Sequence, residues 1–352
     1  AQPIRNGGLE ITPTLSVSES YNDNYLEAAT GAQSTYITKI APSVKLEAKR
    51  DLNVFGLNLD VAKEWFEDRS ASDNTDVTLG ANAHIDLSKR ARIDLNASFA
   101  DLEDSQTAQE DTEETNFGVT YGFGAEEAKL QVELGVSQQD KEFSTNATTG
   151  KNFEATTVSA AAFYRVSGKT KATVQVSQKD YDFETASLDG KRTRALVGVI
   201  WEATGKTSGS AKIGNVKREY DSSSLTDKDG TTWEAGVVWT PTSLATVTLD
   251  ASNSFEPGSS TENTIDTDKI RLGWKHQWTS LVQSDVSYSQ TEENYVGFTG
   301  GKKDDTDELA LNVTYSMKRN VDLIAGITLK DKTSSTGASG GYDQNVYNVG
   351  VK

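Results

Sequence analysis

Over most of its length this chain changes character with every residue. Ile93, Leu95, Ala97 and Phe99 alternate with Asp94, Asn96 and Ser98. Leu130, Val132, Leu134 and Val136 alternate with Gln131, Glu133, Gly135 and Ser137, and Leu309, Leu311, Val313 and Tyr315 with Glu308, Asn312 and Thr314. Successive side chains of a β-strand point to opposite faces, so each segment is a ribbon with one apolar and one polar face. Short polar turns near Asp51, Lys89, Glu126, Ser167, Gly205, Pro241, Thr279 and Arg319 recur about every 36 to 41 residues, a period read against the known repeat classes. Between each pair of them lies a longer loop rich in Asp, Ser, Thr, Gly and Asn. This short–long rhythm describes an up-and-down antiparallel sheet whose two ends face different surroundings.

Eighteen segments result, from near Leu9 to near Val351, joined by eight short turns and nine long loops. An even strand number with both ends on the short-turn side predicts an all-β, transmembrane, up-and-down antiparallel barrel over residues 1–352, with short periplasmic turns and long extracellular loops. A water-soluble sandwich also alternates, but its strands average ~5 to 6 residues and open sheets rarely exceed ~10 strands. The segments here run about 11 to 14 residues, near the ~9 to 11 that cross a bilayer. No strand edge can be left unpaired in lipid, so Leu9 to Tyr21 should pair with Gln344 to Val351.

Composition fits that geometry. Only 35% of residues are hydrophobic, yet a barrel asks only every second residue to meet lipid. The longest apolar run, Ala195 to Trp201, is far short of the ~20 residues of a spanning helix. Cysteine is absent, so neither disulfides nor thiolate chemistry arises. Ala1-Gln2-Pro3 reads as a mature start after cleavage of an export signal, and the barrel pattern puts the expected location in the bacterial outer membrane. Lipid and lipopolysaccharide are then its surroundings, and nucleic acid is no partner of an acidic chain with net charge -17.

Aromatic residues gather at segment ends, as interfacial girdles require. Phe55, Phe123, Tyr164, Trp201, Trp239, Trp274 and Tyr315 lie toward the short turns; Tyr21, Tyr36, Trp65, Tyr220, Trp233 and Phe255 lie toward the long loops. Charge is divided as well. The short turns are mostly basic, whereas Asp101 to Glu114 carries seven carboxylates and no Lys or Arg.

The polar face decides whether there is a channel. Lys45, Glu47, Asp60, Glu64, Asp94, Glu133, Asp250, Lys269, Arg271 and Lys275 are the expected pore-lining residues, with Asn58, Thr173, Gln175, Thr246 and Thr248 among them. Both signs occur, so the lumen should be wet and weakly charge-selective. Barrels of ~16 to 18 strands enclose an aqueous channel. The segment Glu292 to Asp307, with Gly297, Gly300 and Gly301, is expected to be a loop able to fold inward as a constriction.

Chemistry-bearing motifs are few. His84 falls mid-strand on the polar face and His276 lies between Trp274 and Trp278; neither belongs to a Ser-His-acid cluster, so no catalytic residue is assigned. Asp227-Lys228-Asp229-Gly230 resembles the opening of a calcium loop but lacks its remaining ligands, and Asp-Gly is first a turn signal. No metal or cofactor is expected.

Several stretches resemble one family. They are Gly8 to Val17, Tyr21-Asn22-Asp23-Asn24, Ile40 to Val44, Gly236 to Thr242, Leu272 to His276, Tyr295-Val296-Gly297, Val313 to Arg319 and Tyr342 to Asn345. Together they are similar to the "Putative beta-barrel porin 2" family. That resemblance implies an outer-membrane pore associated with machinery that exports capsular or exopolysaccharide. The chain departs from outer-membrane barrels that end in an aromatic residue, closing on Gly350-Val351-Lys352. Polysaccharide export is therefore the expected function, with a general diffusion porin or an adhesive barrel binding cations or surface polymers through acidic loops as alternatives.

Overall fold

The structure is a computed structural model that describes residues 3–104, 111–144, 151–184, 188–258, 264–297, 300–335 and 340–352. Its first strands are β1 Ile4–Asn6, β2 Leu9–Asn22, β3 Thr35–Arg50, β4 Asn53–Phe66, β5 Asn74–Ser88 and β6 Ala91–Leu102. Then come β7 Thr112–Phe123, β8 Leu130–Phe143, β9 Phe153–Ser167, β10 Thr170–Phe183, β11 Gly190–Thr204, β12 Thr207–Tyr220 and β13 Lys228–Thr242. The last are β14 Ala245–Pro257, β15 Thr264–Gln277, β16 Val282–Val296, β17 Lys302–Lys318, β18 Val321–Ser334 and β19 Tyr342–Val351. The one helical element described in full is a 3-10 turn, Ser70–Ser72.

From β2 onward every strand pairs antiparallel with the next, and β19 returns to β2, closing an eighteen-stranded barrel. The seam is shorter than the sequence suggests. Only Val17–Asn22 pair with Val346–Val351, while Leu9–Ile11 pair instead with β1. Strand tilt in a barrel staggers neighbours along the axis, so the lower part of β2 runs past the end of β19 and β1 folds back against it.

Two other expectations are corrected. Pro241 is not a turn centre: it lies in β13 within the register shift between Trp239 and Thr242, and the turn is Ser243–Leu244. Proline has no N–H to give a ladder, and an irregularity accommodates it. The anticipated loop Glu292 to Asp307 is mostly strand, with Tyr295 paired to Lys302. It therefore extends the wall instead of folding into the barrel.

Alternation holds around the whole sheet. Val44, Leu59, Leu79 and Phe99 form one apolar row across β3 to β6, and Tyr288, Leu309 and Leu329 another across β16 to β18. Fifty large hydrophobic side chains are exposed against ten buried hydrophobic residues, among the described residues. A soluble domain could not carry that surface; a lipid-embedded one requires it.

The polar face is the concave one. Arg92 on β6 bonds Glu133 on β8, passing over β7. Lys171 Nζ on β10 donates to Gln131 Oε1 on β8 at 2.9 Å, and Lys212 Nζ on β12 to Gln175 Oε1 on β10 at 3.3 Å. Side chains two strands apart meet only where curvature brings them together. Small residues keep that face open: a Cβ added to Gly326 would lie within 2.4 Å of both the Asn312 and Asn348 amides on its flanking strands.

Candidate functional site in the lumen

All ten expected pore-lining residues fall on the concave, polar-parity face, but they form three separate groups. On β3 and β4, Glu47 lies 2.7 Å from Lys49 Nζ and 3.7 Å from Lys45 Nζ, Glu64 2.9 Å from Lys39 Nζ, and Asp60 accepts from Asn58. On β5 to β8, Asp94 is bonded to His84 Nδ1 at 2.6 Å and lies 3.4 Å from Arg92 Nε, while Arg92 also reaches Glu133. Across β14 and β15, Asp250 faces Arg271 directly, with Lys269 opposite Ser252 and Lys275 opposite Thr246.

His84 thus has two carboxylate neighbours, Asp94 and Asp86, and no hydroxyl partner among the described residues. A nucleophile poised beside a base is what covalent catalysis needs, and this arrangement lacks one. His276 is packed against Trp274 and Trp278 with ring centroids 5.5 and 4.3 Å away, on the outer face.

The densest packing lies elsewhere, inside the long-loop half of β9 to β15. Ala155, Tyr181, Phe183 and Leu188 form a buried cluster joined by Phe153 and Leu225. Leu196, Val216, Thr232, Phe255 and Thr264 are also buried, each at 4% exposure or less. The β14–β15 hairpin supplies part of this mass. Its register with β13 ends at Glu234–Ser252, whereas β14 and β15 stay paired to Pro257–Thr264. The freed tip leans over the neighbouring strands: Arg192 Nη1 on β11 donates to Phe255 O at 2.7 Å, and the Tyr220 hydroxyl on β12 bonds Thr264 Oγ1 at 2.7 Å.

Gly230 makes that lean possible, because a Cβ there would sit 2.8 Å from the tip of the Phe255 ring. Asp227 to Gly230 is accordingly neither a turn nor a calcium loop: residues 228–230 are the start of β13. Tyr220 and Phe255 leave the expected outer girdle and join the interior. Phe255 has the outer parity, and only the departure of β14 from β13 buries it.

Cations dominate this wall. The polar face of β9 to β12 carries Arg165, Lys171, Lys179, Arg192, Arg194, Lys212 and Arg218 against one carboxylate, Glu202. Two of the lower members are neutralised. Glu234 accepts from Lys212 Nζ at 2.6 Å and Arg194 Nη1 at 3.0 Å. Its carboxylate is charge-matched twice, which makes this a structural triad. The sequence pattern places these residues on the polar face, but their gathering at one height depends on registers across long loops, which no local pattern encodes. Of the acidic run 101–114, residues 105–110 lie outside the described residues.

No curated protein matches the chain significantly in sequence. Solved structures do match its fold. OccK2 (OpdF) of Pseudomonas aeruginosa aligns with a TM-score of 0.55 at 11% identity, covering 97% of this chain and 96% of that one. OccAB4 of Acinetobacter baumannii gives 0.53 at 12% identity with 98% of each chain covered. OpdK of Pseudomonas aeruginosa, solved with vanillate, gives 0.52 at 11% identity with 97% of each chain covered. At such identities the likeness is one of fold. The family model described as "Putative beta-barrel porin 2" matches residues 1–352, and the chain belongs to that family of porin-like outer-membrane barrels.

Proposed function

We propose that this barrel is a channel that passes small hydrophilic solutes across the outer membrane and sorts them at the constriction within β9 to β15. The observation that carries the reading is the hairpin tip of β14 and β15 packed against inward side chains of β11 to β13. A free-diffusion pore has no use for a fully packed sector, whereas a selective one needs a narrow, chemically defined passage. The ten residues on the remaining concave face, Lys45 and Glu47 through Lys275, line the wet part of the path. The neighbouring folds support a cargo of modest size, since OpdK was solved with vanillate and OccK2 also with glucuronate.

Purified protein in planar bilayers should give discrete conductance steps, and Phe255→Ala should enlarge them. An electrically silent barrel would replace this reading with the adhesive or structural one. Export of a capsular or exopolysaccharide is the second reading, supported by the family resemblance and by acidic side chains such as Glu103, Asp104, Asp111 and Glu113 near the mouth, which would repel released anionic chains. A packed constriction counts against threading a polymer. Loss of surface polysaccharide in a deletion strain, with synthesis intact, would reverse the order of the two.

A further inference from the structure

Within the constriction one row of basic side chains is short of counter-charge. Lys179 on β10 stands directly opposite Arg192 on β11, Arg192 opposite Arg218 on β12, and Arg218 opposite Lys228 on β13. Four cations on four adjacent strands at one height repel one another, and like charges directly opposite weaken a sheet. Lower on the same strands, Arg194 and Lys212 share Glu234. In the row itself only Arg192 has a carboxylate, Glu256 Oε1 at 3.0 Å. Lys179 donates to the neutral Gln139 amide at 2.6 Å, and no ion pair to Lys179, Arg218 or Lys228 occurs among the described residues.

Arg218 is the sharpest case. It is 1% exposed, and its guanidinium lies between Tyr181 and Tyr220, 4.4 and 4.7 Å from their ring centroids. Among the described residues its one hydrogen bond runs from Nη2 to Leu188 O at 2.8 Å, leaving Nε and Nη1 without partners there. The Tyr181 hydroxyl beside it is likewise buried and unpartnered, and Tyr181 also meets Lys179 at 4.8 Å and Arg192 at 6.0 Å. A buried charge without a counter-charge is among the costliest features a fold can hold. Below the Lys179–Arg192 end of the row, beginning at the Ser177–Arg194 pair, is a cavity of about 220 Å³ whose lining also includes Gln175, Leu196 and, on its far side, Glu133.

We propose that Lys179, Arg192, Arg218 and Lys228 with Tyr181 form a binding site for a small organic carboxylate, entering from this cavity. The unpartnered Nε–H and Nη1–H of Arg218 are free to donate to a carboxylate, Tyr181 donates a further hydrogen bond, and the rings of Phe153, Tyr181, Phe183 and Phe255 take the carbon body. This goes beyond the channel reading by naming the cargo class and the residues that hold it. Its binding arm does not depend on conductance.

The test uses benzoate, with benzamide as its neutral isostere. In detergent micelles, calorimetry on the full barrel should detect benzoate and not benzamide. Arg218→Met should weaken benzoate at least tenfold; because that change also alters a fully packed position, Lys179→Gln with Lys228→Gln provides an independent second arm with the same expected loss. Equal binding of benzoate and benzamide, or unchanged affinity in the folded variants, overturns the site. In bilayers benzoate should reduce the wild-type current and leave the double variant unaffected. If every form is silent while benzoate binding behaves as stated, the site stands and the channel reading falls.

Discussion

Leu311 and Asn312 are neighbours in the chain and belong to different solvents. Leu311 lies in the outer row with Val286 and Ile327 and is 40% exposed, whereas Asn312 lies on the concave face with its amide oxygen against Gly326. Arginine at position 311 should cost about 2 to 4 kcal/mol near mid-membrane, and at position 312 well under half of that, because a lumen side chain remains hydrated. Urea titration of folding into lipid vesicles reads the difference, and equal losses at the two positions would contradict the face assignment. The same residue-by-residue logic separates two kinds of charge in the lumen. Glu47, Glu64, Asp94 and Glu234 each sit within 3 Å of a basic group and so belong to the wall's own electrostatics. Arg218 has no such neighbour and stands apart.

At the scale of strands, period-two alternation is enough to assign faces: it puts Asp60, Asp94, Glu133 and Arg271 on the concave side and Leu95, Val132, Leu272 and Leu323 on the lipid side without any structure. It cannot say which concave residues are level with one another. Lys179 and Arg192 face each other because a connection of set length returns β11 to β10 in that register, and loop conformation is not written in alternation. Nor can it foresee a strand parting from its neighbour. Phe255 alternates like a lipid-facing residue, yet β14 leaves β13 above Ser252 and carries the ring inside, opposite Gly230. A glycine within a strand pattern marks a close backbone approach, and that is the one local hint. Gly230→Val should therefore push the hairpin tip away from β13. The expected outcome is a loss of about 1 to 3 kcal/mol from overpacking together with a larger single-channel conductance. Unchanged conductance in a folded variant would mean the tip does not narrow the path.

For the whole molecule, closure is the condition on which everything else rests. Outside the bilayer an unpaired strand edge is tolerated; inside it, each unsatisfied N–H or C=O costs several kcal/mol. The barrel meets this with a seam of only six residue pairs, Val17–Asn22 against Val346–Val351, supplemented by the three pairs of β1 with Leu9–Ile11. The two parts of the seam differ in weight. Removing β19 would strip both β18, ten of whose residues it pairs, and β2 of a partner along the membrane. Removing β1 would expose only three residues of β2 near the short-turn end. Deletion of residues 342–352 should then abolish the compact form that migrates faster on unheated gels and resists protease in vesicles. Deletion of residues 1–6 should leave that form in place, with a lower denaturant midpoint as its only mark. If both deletions fold alike, closure is achieved through some other pairing, and the proposed constriction, whose residues are held in register only by a closed sheet, loses its basis too.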